Sequence, residues 1–178
     1  MSQHQPFPVF SRLLHWLMAI LILAMLFIGI GMVASVTDYH WLVSIHKPLG
    51  ILILVLAVIR LINRLINPPP ALPAEMPAWQ RWVAHASHIL LYVLMIVLPL
   101  IGWAMLSAAG NPVVLYGALH LPAILPHDAM LYALLRQTHT VLALLLFALI
   151  LAHFAAALLH ALIFRDGVFQ SMTTGQRR

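Results

Sequence analysis

Four apolar runs, at about 12–34, 45–66, 79–106 and 131–164, constrain this chain more than any other feature. Each is near or above the roughly 20 residues needed to cross the hydrocarbon core of a bilayer. Lipid offers a backbone no hydrogen bonds, so every N–H and C=O must be paired within its own segment, and the runs are predicted to be helices. The connections between the first and second runs and between the second and third are short. The expected fold class is therefore all-α, a four-helix transmembrane bundle, with residues 1–178 forming a single integral-membrane domain. Composition agrees: 63% of residues are hydrophobic and 7% charged, too little polar surface for a soluble domain of this length.

The basic residues predict an orientation. Arg12 precedes the first span, Arg60, Arg64 and Arg81 flank the loop between spans two and three, and Arg165, Arg177 and Arg178 follow span four. Only Lys47 and Arg136 fall on the other side. The positive-inside rule then puts both termini and the middle loop in the cytoplasm. This bias accounts for the net charge of +5, so nothing calls for nucleic acid as a partner. The first run is too long for the core of a cleavable signal and lacks a persuasive small-residue cleavage site.

There is no cysteine, which excludes disulfides, iron–sulfur clusters and covalently attached c-type haem. The four acidic residues, Asp38, Glu75, Asp128 and Asp166, lie in loops or at span ends, which speaks against a carboxylate proton relay inside the membrane. Residues 67–78, NPPPALPAEMPA, read as a proline-rich cytoplasmic linker. Residues 107–130, broken at Asn111-Pro112, Pro122 and Pro126, read as an irregular cap on the outer face. Pro99 is expected to kink span three.

The chemistry lies with the histidines, of which there are 11. His4, His40, His120 and His127 fall in terminal or loop segments and read as solvated or interfacial. His46 begins span two and His139 lies near the start of span four, both on the outer side. His15 begins span one on the inner side. His153 is about 21 Å further along span four than His139, and fourteen steps of about 100° return it to within about 40° of the same face. Two cross-helix pairs follow, His46 with His139 outside and His15 with His153 inside. Facing neutral imidazoles at bilayer depth are what a low-spin b-type haem needs for axial ligation, and two stacked sites make an electron path across the membrane. Gly50 and Ala155, Ala156 and Ala157 would leave room for a porphyrin. A polar group in lipid costs several kcal/mol unless paired, so each histidine needs a partner of some kind. His85 and His88 at the inner end of span three could reach water, a haem propionate or each other.

RLLHWLM at 12–18, IHKPLGILILVLAVIRLINRL at 45–65, AHASHILLYVLMIVLPLIGWAML at 84–106 and QTHTVLALLLFALILAHFAAALLH at 137–160 together resemble the bacterial cytochrome b561 family, in order and over nearly the whole chain. The resemblance implies a multi-pass protein of the bacterial inner membrane with two non-covalent b haems. His15 and His153 would hold one haem iron, His46 and His139 the other. It also implies a superoxide:ubiquinone oxidoreductase activity as found among family members, with His160 near the quinone.

Three functions follow as candidates. The first oxidises superoxide at the periplasmic side and reduces ubiquinone. Lys47 and Arg136, flanking the outer pair, would either steer the anion or neutralise haem propionates. His160, with His88 and Arg81 at the same boundary, would form the quinone pocket, and plain anchoring is the simpler reading of Arg81. The second runs the other way, oxidising quinol and passing electrons to a periplasmic redox protein docked on the outer cap. The third is a haem-free histidine-based metal transporter or sensor. Besides these partners the chain needs only membrane lipid.

Overall fold

The computed structural model describes residues 6–73, 76–111, 113–115 and 119–174. His4, Glu75, Pro112, Arg177 and Arg178 lie outside the described residues. Four long helices, α1 (Val9–Ala34), α2 (Tyr39–Ile66), α3 (Ala78–Ala108) and α4 (Ala129–Leu159), run up and down. All four are long and apolar enough to span a membrane. After α4 the chain enters a π-helical turn, His160–Phe164, and then a short helix α5 (Val168–Met172). The starts of α1 and α3 and the end of α4 share the terminal end of the bundle; the α1–α2 and α3–α4 connections form the far end.

Local polar contacts set helix ends that hydropathy alone misplaces. The second helix begins six residues before the expected 45, because Ser35 and Asp38 fold the chain over at once. Ser35 Oγ donates to Asp38 Oδ2 at 2.7 Å, and Asp38 N donates to Ser35 Oγ at 3.2 Å. At α4, Asp128 Oδ1 accepts from Leu131 N at 2.9 Å, an N-cap that satisfies one of the helix's orphan donors. Helix α3 continues through Pro99, and α2 holds a second interior proline, Pro48.

The segment joining α3 to α4 is tied to the bundle. Trp103 Nε1 donates to Pro122 O at 2.9 Å, and Ile124 N donates to Ser107 Oγ at 3.2 Å. His127, expected to be solvated or interfacial, is exposed, and its Nδ1 lies 3.0 Å from Ala108 O. Its ring packs under Gly110, whose φ of +71° belongs to the left-handed region that glycine tolerates best. His120 stays exposed, in an isolated bridge with Val114.

Helix α1 packs on α2, α2 on α3 and α3 on α4. The buried core is a mid-height layer: Leu14, Met18 and Ile22 from α1, Ile53 and Ala57 from α2, Leu94, Met95 and Leu98 from α3, and Leu146 from α4. Around it the helices expose large apolar side chains such as Phe27 (64%), Leu144 (65%) and Ile163 (66%). That surface suits lipid, where apolar exposure costs nothing.

At the terminal end a buried polar node joins α1 to α2. Asn63 Nδ2 donates to Ser11 Oγ at 2.7 Å, and Arg60 Nη1 donates to Ser11 O at 3.2 Å. Interhelical hydrogen bonds of this kind contribute about 0.5–1.5 kcal/mol in a membrane bundle. Ser11→Ala is therefore expected to lower the midpoint of detergent-induced unfolding by a stability loss of about that size; an unchanged midpoint would mean that the bond adds nothing.

Candidate haem sites

Helix α4 contributes a histidine to each of two ring pairs. At the far end His46 and His139 have ring centres 6.3 Å apart, with planes at 67°. At the terminal end His15 and His153 are 6.4 Å apart, with planes at 74°. Both pairs join helices whose backbones are not packed together, α2 with α4 and α1 with α4. The apolar mid-height layer lies between the two levels.

Both separations suit a metal bridge. Two metal–imidazole bonds of about 2 Å, with about 1 Å from each nitrogen to its ring centre, place the centres about 6 Å apart. The Nδ1 atoms of His46 and His139 are buried and make no hydrogen bond, a state that costs about 1–3 kcal/mol per group in a protein interior. Two glycines make space for these rings. A Cβ on Gly29 would lie 4.0 Å from His46 Cε1, and one on Gly102 only 3.4 Å from His139 Cε1. Gly50, expected to open this space, faces Met25 Cε instead. Ala155 and Ala156 are exposed, and Ala157 is half-buried.

The terminal-end pair has a more polar setting. Arg60 Nη2 donates to His15 Nδ1 at 3.2 Å. A guanidinium has only donors, so His15 in this arrangement carries its own proton on Nε2. Ligation through Nε2 requires Arg60 to release Nδ1, and the carboxylates of a haem are the natural partners for a freed guanidinium. Arg60, expected merely to flank a loop, therefore belongs to this site. A cation six residues inside the end of an apolar span was the signal available in the sequence. Arg64 stacks over Tyr92 at 5.7 Å, and both line a small cleft with Ser11, Arg60 and Asn63.

His88 lies at the level of this pair rather than at the boundary with His160. Its ring centre is 5.5 Å from that of His153, with planes at 71°. His85 turns back on its own helix, with Nδ1 2.6 Å from Arg81 O, and Arg81 is exposed. At the far end Lys47 is half-buried and Arg136 exposed. His160 sits where α4 gives way to the π-turn. Its Nδ1 is 2.6 Å from Asp166 Oδ2, and its ring centre is 5.2 Å from that of Phe164. Asp166 was not singled out from the sequence, because only the chain reversal after His160 brings the two together.

Residues 6–175 match the family model described as prokaryotic cytochrome b561. The chain is 34% identical to cytochrome b561 homolog 2 of Escherichia coli (strain K12) over 168 residues, covering 92% of this chain and 89% of the relative. It is 32% identical to a probable superoxide oxidase CybB of Yersinia pestis over 180 residues, 98% and 99% of the two chains. A third similar protein, cytochrome b561 homolog 1 of Escherichia coli (strain K12), is 33% identical over 127 residues, 71% of this chain and 72% of that one.

Proposed function

The chain belongs to the prokaryotic cytochrome b561 family, a membrane electron-transport family with b-type haem, and on that premise we propose a di-haem oxidoreductase that oxidises superoxide at one membrane face and reduces ubiquinone at the other. The observation that carries this reading is the pair of histidine couples, 6.3 and 6.4 Å across, at two levels of one bundle. His46 and His139 would hold one haem, His15 and His153 the other. Each supplies reversible one-electron chemistry at its iron when bound. Family membership sets aside the haem-free transporter. Moreover, the described residues bring no three or more His, Cys, Asp or Glu into a metal-holding group.

The protein's own residues give the path its shape. The apolar side chains of Met18, Ile22, Ile53, Leu94, Leu98 and Leu146 fill the space between the two levels. The basic end with Arg12, Arg60, Arg64, Arg81 and Arg165 would face the cytoplasm and the far end the periplasm. Lys47 follows His46 directly, and Arg136 precedes His139 by one turn, so two cations flank the far-end pair. An anionic donor would be drawn to that face. Asp38 and Asp128 lie at the same end, Asp38 accepting from Ser35 Oγ and Asp128 capping Leu131 N; neither contact cancels the carboxylate charge, so the attraction would be local to Lys47 and Arg136. At the terminal end His160 supplies an imidazole at the boundary between apolar helix and water, where a quinone head group needs a hydrogen-bond donor and a proton. Its distance along α4 from His153, about 10 Å, keeps it from competing as a ligand. The name of the Yersinia pestis relative supports superoxide as the donor.

Haem content tests the ligand set. A pyridine haemochrome assay should give two b haems per chain. His15→Ala or His153→Ala should remove one, and His46→Ala or His139→Ala the other. His85→Ala and His88→Ala should keep both. A chain that holds one haem when fully loaded, or that loses a haem with His88 but not with His15, is inconsistent with these pairs.

Gly102 tests the far-end cradle. Gly102→Val puts branched carbon into the space of His139 and should abolish the far-end haem while leaving the other. Gly50→Ala, which meets only the flexible tip of Met25, should keep both.

The donor is tested by stopped-flow haem reduction. Replacing Lys47 and Arg136 with Gln should slow reduction by superoxide and flatten its dependence on ionic strength, since salt screens the same charges. An unchanged rate and salt slope would assign these cations to haem propionates. Reduction by quinol but not by superoxide would reverse the direction of flow and favour a periplasmic redox partner.

A further inference from the structure

The end of α4 departs from regular helix in a way that builds one contact. In a continuous α-helix, six residues separate two side chains by about 9 Å along the axis and put them on different faces. Here the last turn widens into the π-turn His160–Phe164, and Arg165 N donates to His160 O at 2.8 Å. Arg165 then takes φ 52° and Gly167 φ 83°. A left-handed arginine costs about 1–2 kcal/mol, and π-turns gather at functional sites. The result of this reversal is that Asp166 comes back onto His160, 2.6 Å from Oδ2 to Nδ1, with both side chains largely covered, at 22% and 17% exposure.

The carboxylate is itself held. Asp166 Oδ1 accepts from Val168 N at 3.2 Å, at the start of α5. Helix α5 is in turn fastened to α1: Phe7 N donates to Ser171 O at 3.2 Å, Trp16 Nε1 to Met172 O at 3.1 Å and Arg12 Nη1 to Thr173 O at 3.2 Å. The orientation of the His160 ring is thus fixed by a chain of contacts that ends on the helix bearing His15. The other charged side chain of the turn is committed elsewhere, with Arg165 Nε donating to Leu162 O at 3.1 Å.

We propose that Asp166 is the positioning residue of a proton-delivering dyad, holding His160 with its Nδ1–H on the carboxylate and its Nε2 directed to the head group of a quinone. The proposal rests on the quinone reading of His160 given above. An ionised carboxylate only accepts, so the pair selects the Nδ1–H tautomer of neutral His160. Nε2 is then left to take up and pass on a proton at the terminal end. Quinone becomes quinol by gaining two electrons and two protons. The electrons come one at a time from the donor oxidised at the far end. His160 Nε2–H can give its proton to the carbonyl oxygen it faces, forming one O–H bond, and then take up another from the aqueous phase; the carbonyl oxygen on the opposite side of the ring takes its proton from water at the terminal end. Asp166 transfers nothing: it keeps the ring aimed and in one tautomer.

The test uses full-length, haem-loaded protein in detergent, with decylubiquinone as the oxidant. Asp166→Ala should slow haem reoxidation at saturating quinone about tenfold or more, with little change in the quinone concentration at half-maximal rate and both haems retained. Asp166→Asn keeps an oxygen for Val168 N but removes the charge, and should also be slow; Asp166→Glu should recover part of the rate. His160→Ala should be slow as well. If His160→Ala reoxidises normally, the quinone reading itself fails. If His160→Ala is slow and Asp166→Asn is as fast as the parent, the dyad is overturned and Asp166 is only a cap for α5. A readout independent of turnover is the 15N spectrum of histidine-labelled protein, with His160 assigned by its loss in His160→Ala. The Nδ1–H tautomer is expected in the parent and its loss in Asp166→Ala; an Nε2–H tautomer in the parent overturns the proposal.

Discussion

Lipid cannot hydrogen-bond to an imidazole, and much of this bundle follows from where the chain meets that need. Hydrocarbon first forces the backbone into helices that satisfy themselves. It then leaves each polar side chain at depth to find its own partner. Five histidines sit at such depth, and four of them meet in pairs across helices that are otherwise not in close backbone contact. The fifth, His88, stacks against His153. Helix α4 can serve both levels because fourteen residues are close to a whole number of turns. The apolar layer follows as what remains of the interior once the two histidine levels are set.

The two levels differ in how their polar atoms are treated. At the far end the Nδ1 atoms of His46 and His139 are buried without a hydrogen-bond partner, and Gly29 and Gly102 stand beside the two rings, where an added Cβ would make ordinary contact at 4.0 and 3.4 Å. The site is built by omission. At the terminal end the site is built by addition: Arg60 holds His15, Asn63 holds Ser11, and α5 folds back to close the end on Arg12 and Trp16. As proposed, a haem at the first level would meet rings with no charged partner, whereas at the second Arg60 would have to release His15. For the proposed function this difference is useful, because the terminal end must also manage protons and a bound head group, while the far end need only admit an electron.

What was legible in the sequence follows hydropathy and helical phase. Those two periodic signals were enough for the four spans and for the pairs His46–His139 and His15–His153. Features that depend on a departure from periodicity were not legible. The early start of α2 rests on the Ser35–Asp38 turn, which no apolar pattern records. His127 is exposed as expected, but its bond to the Ala108 carbonyl depends on the turn at Gly110, which hydropathy does not mark. Gly29 and Gly102 looked like any other glycines of a membrane helix; their role depends on which neighbour their missing Cβ would have met. Gly50 drew attention by lying four residues from His46, but it faces Met25.

The same distinction explains the end of α4. Read as a continued helix, the run to 164 places His160 on nearly the face of His153 and sends Asp166 elsewhere. Its apolar length gives no sign that the helical hydrogen-bond pattern changes at residue 160. The change becomes intelligible from the residues that follow. Arg165 and Gly167 take left-handed φ, Asp166 between them can cap Val168 N, and α5 finds hydrogen-bond donors in Phe7, Arg12 and Trp16. The cost of about 1–2 kcal/mol for the left-handed arginine is offset by contacts of comparable size. A straight helix would carry His160 past the bundle with its ring free to rotate. The reversal instead gives that ring a fixed carboxylate and a fixed direction, at the one boundary where apolar helix, basic side chains and water meet.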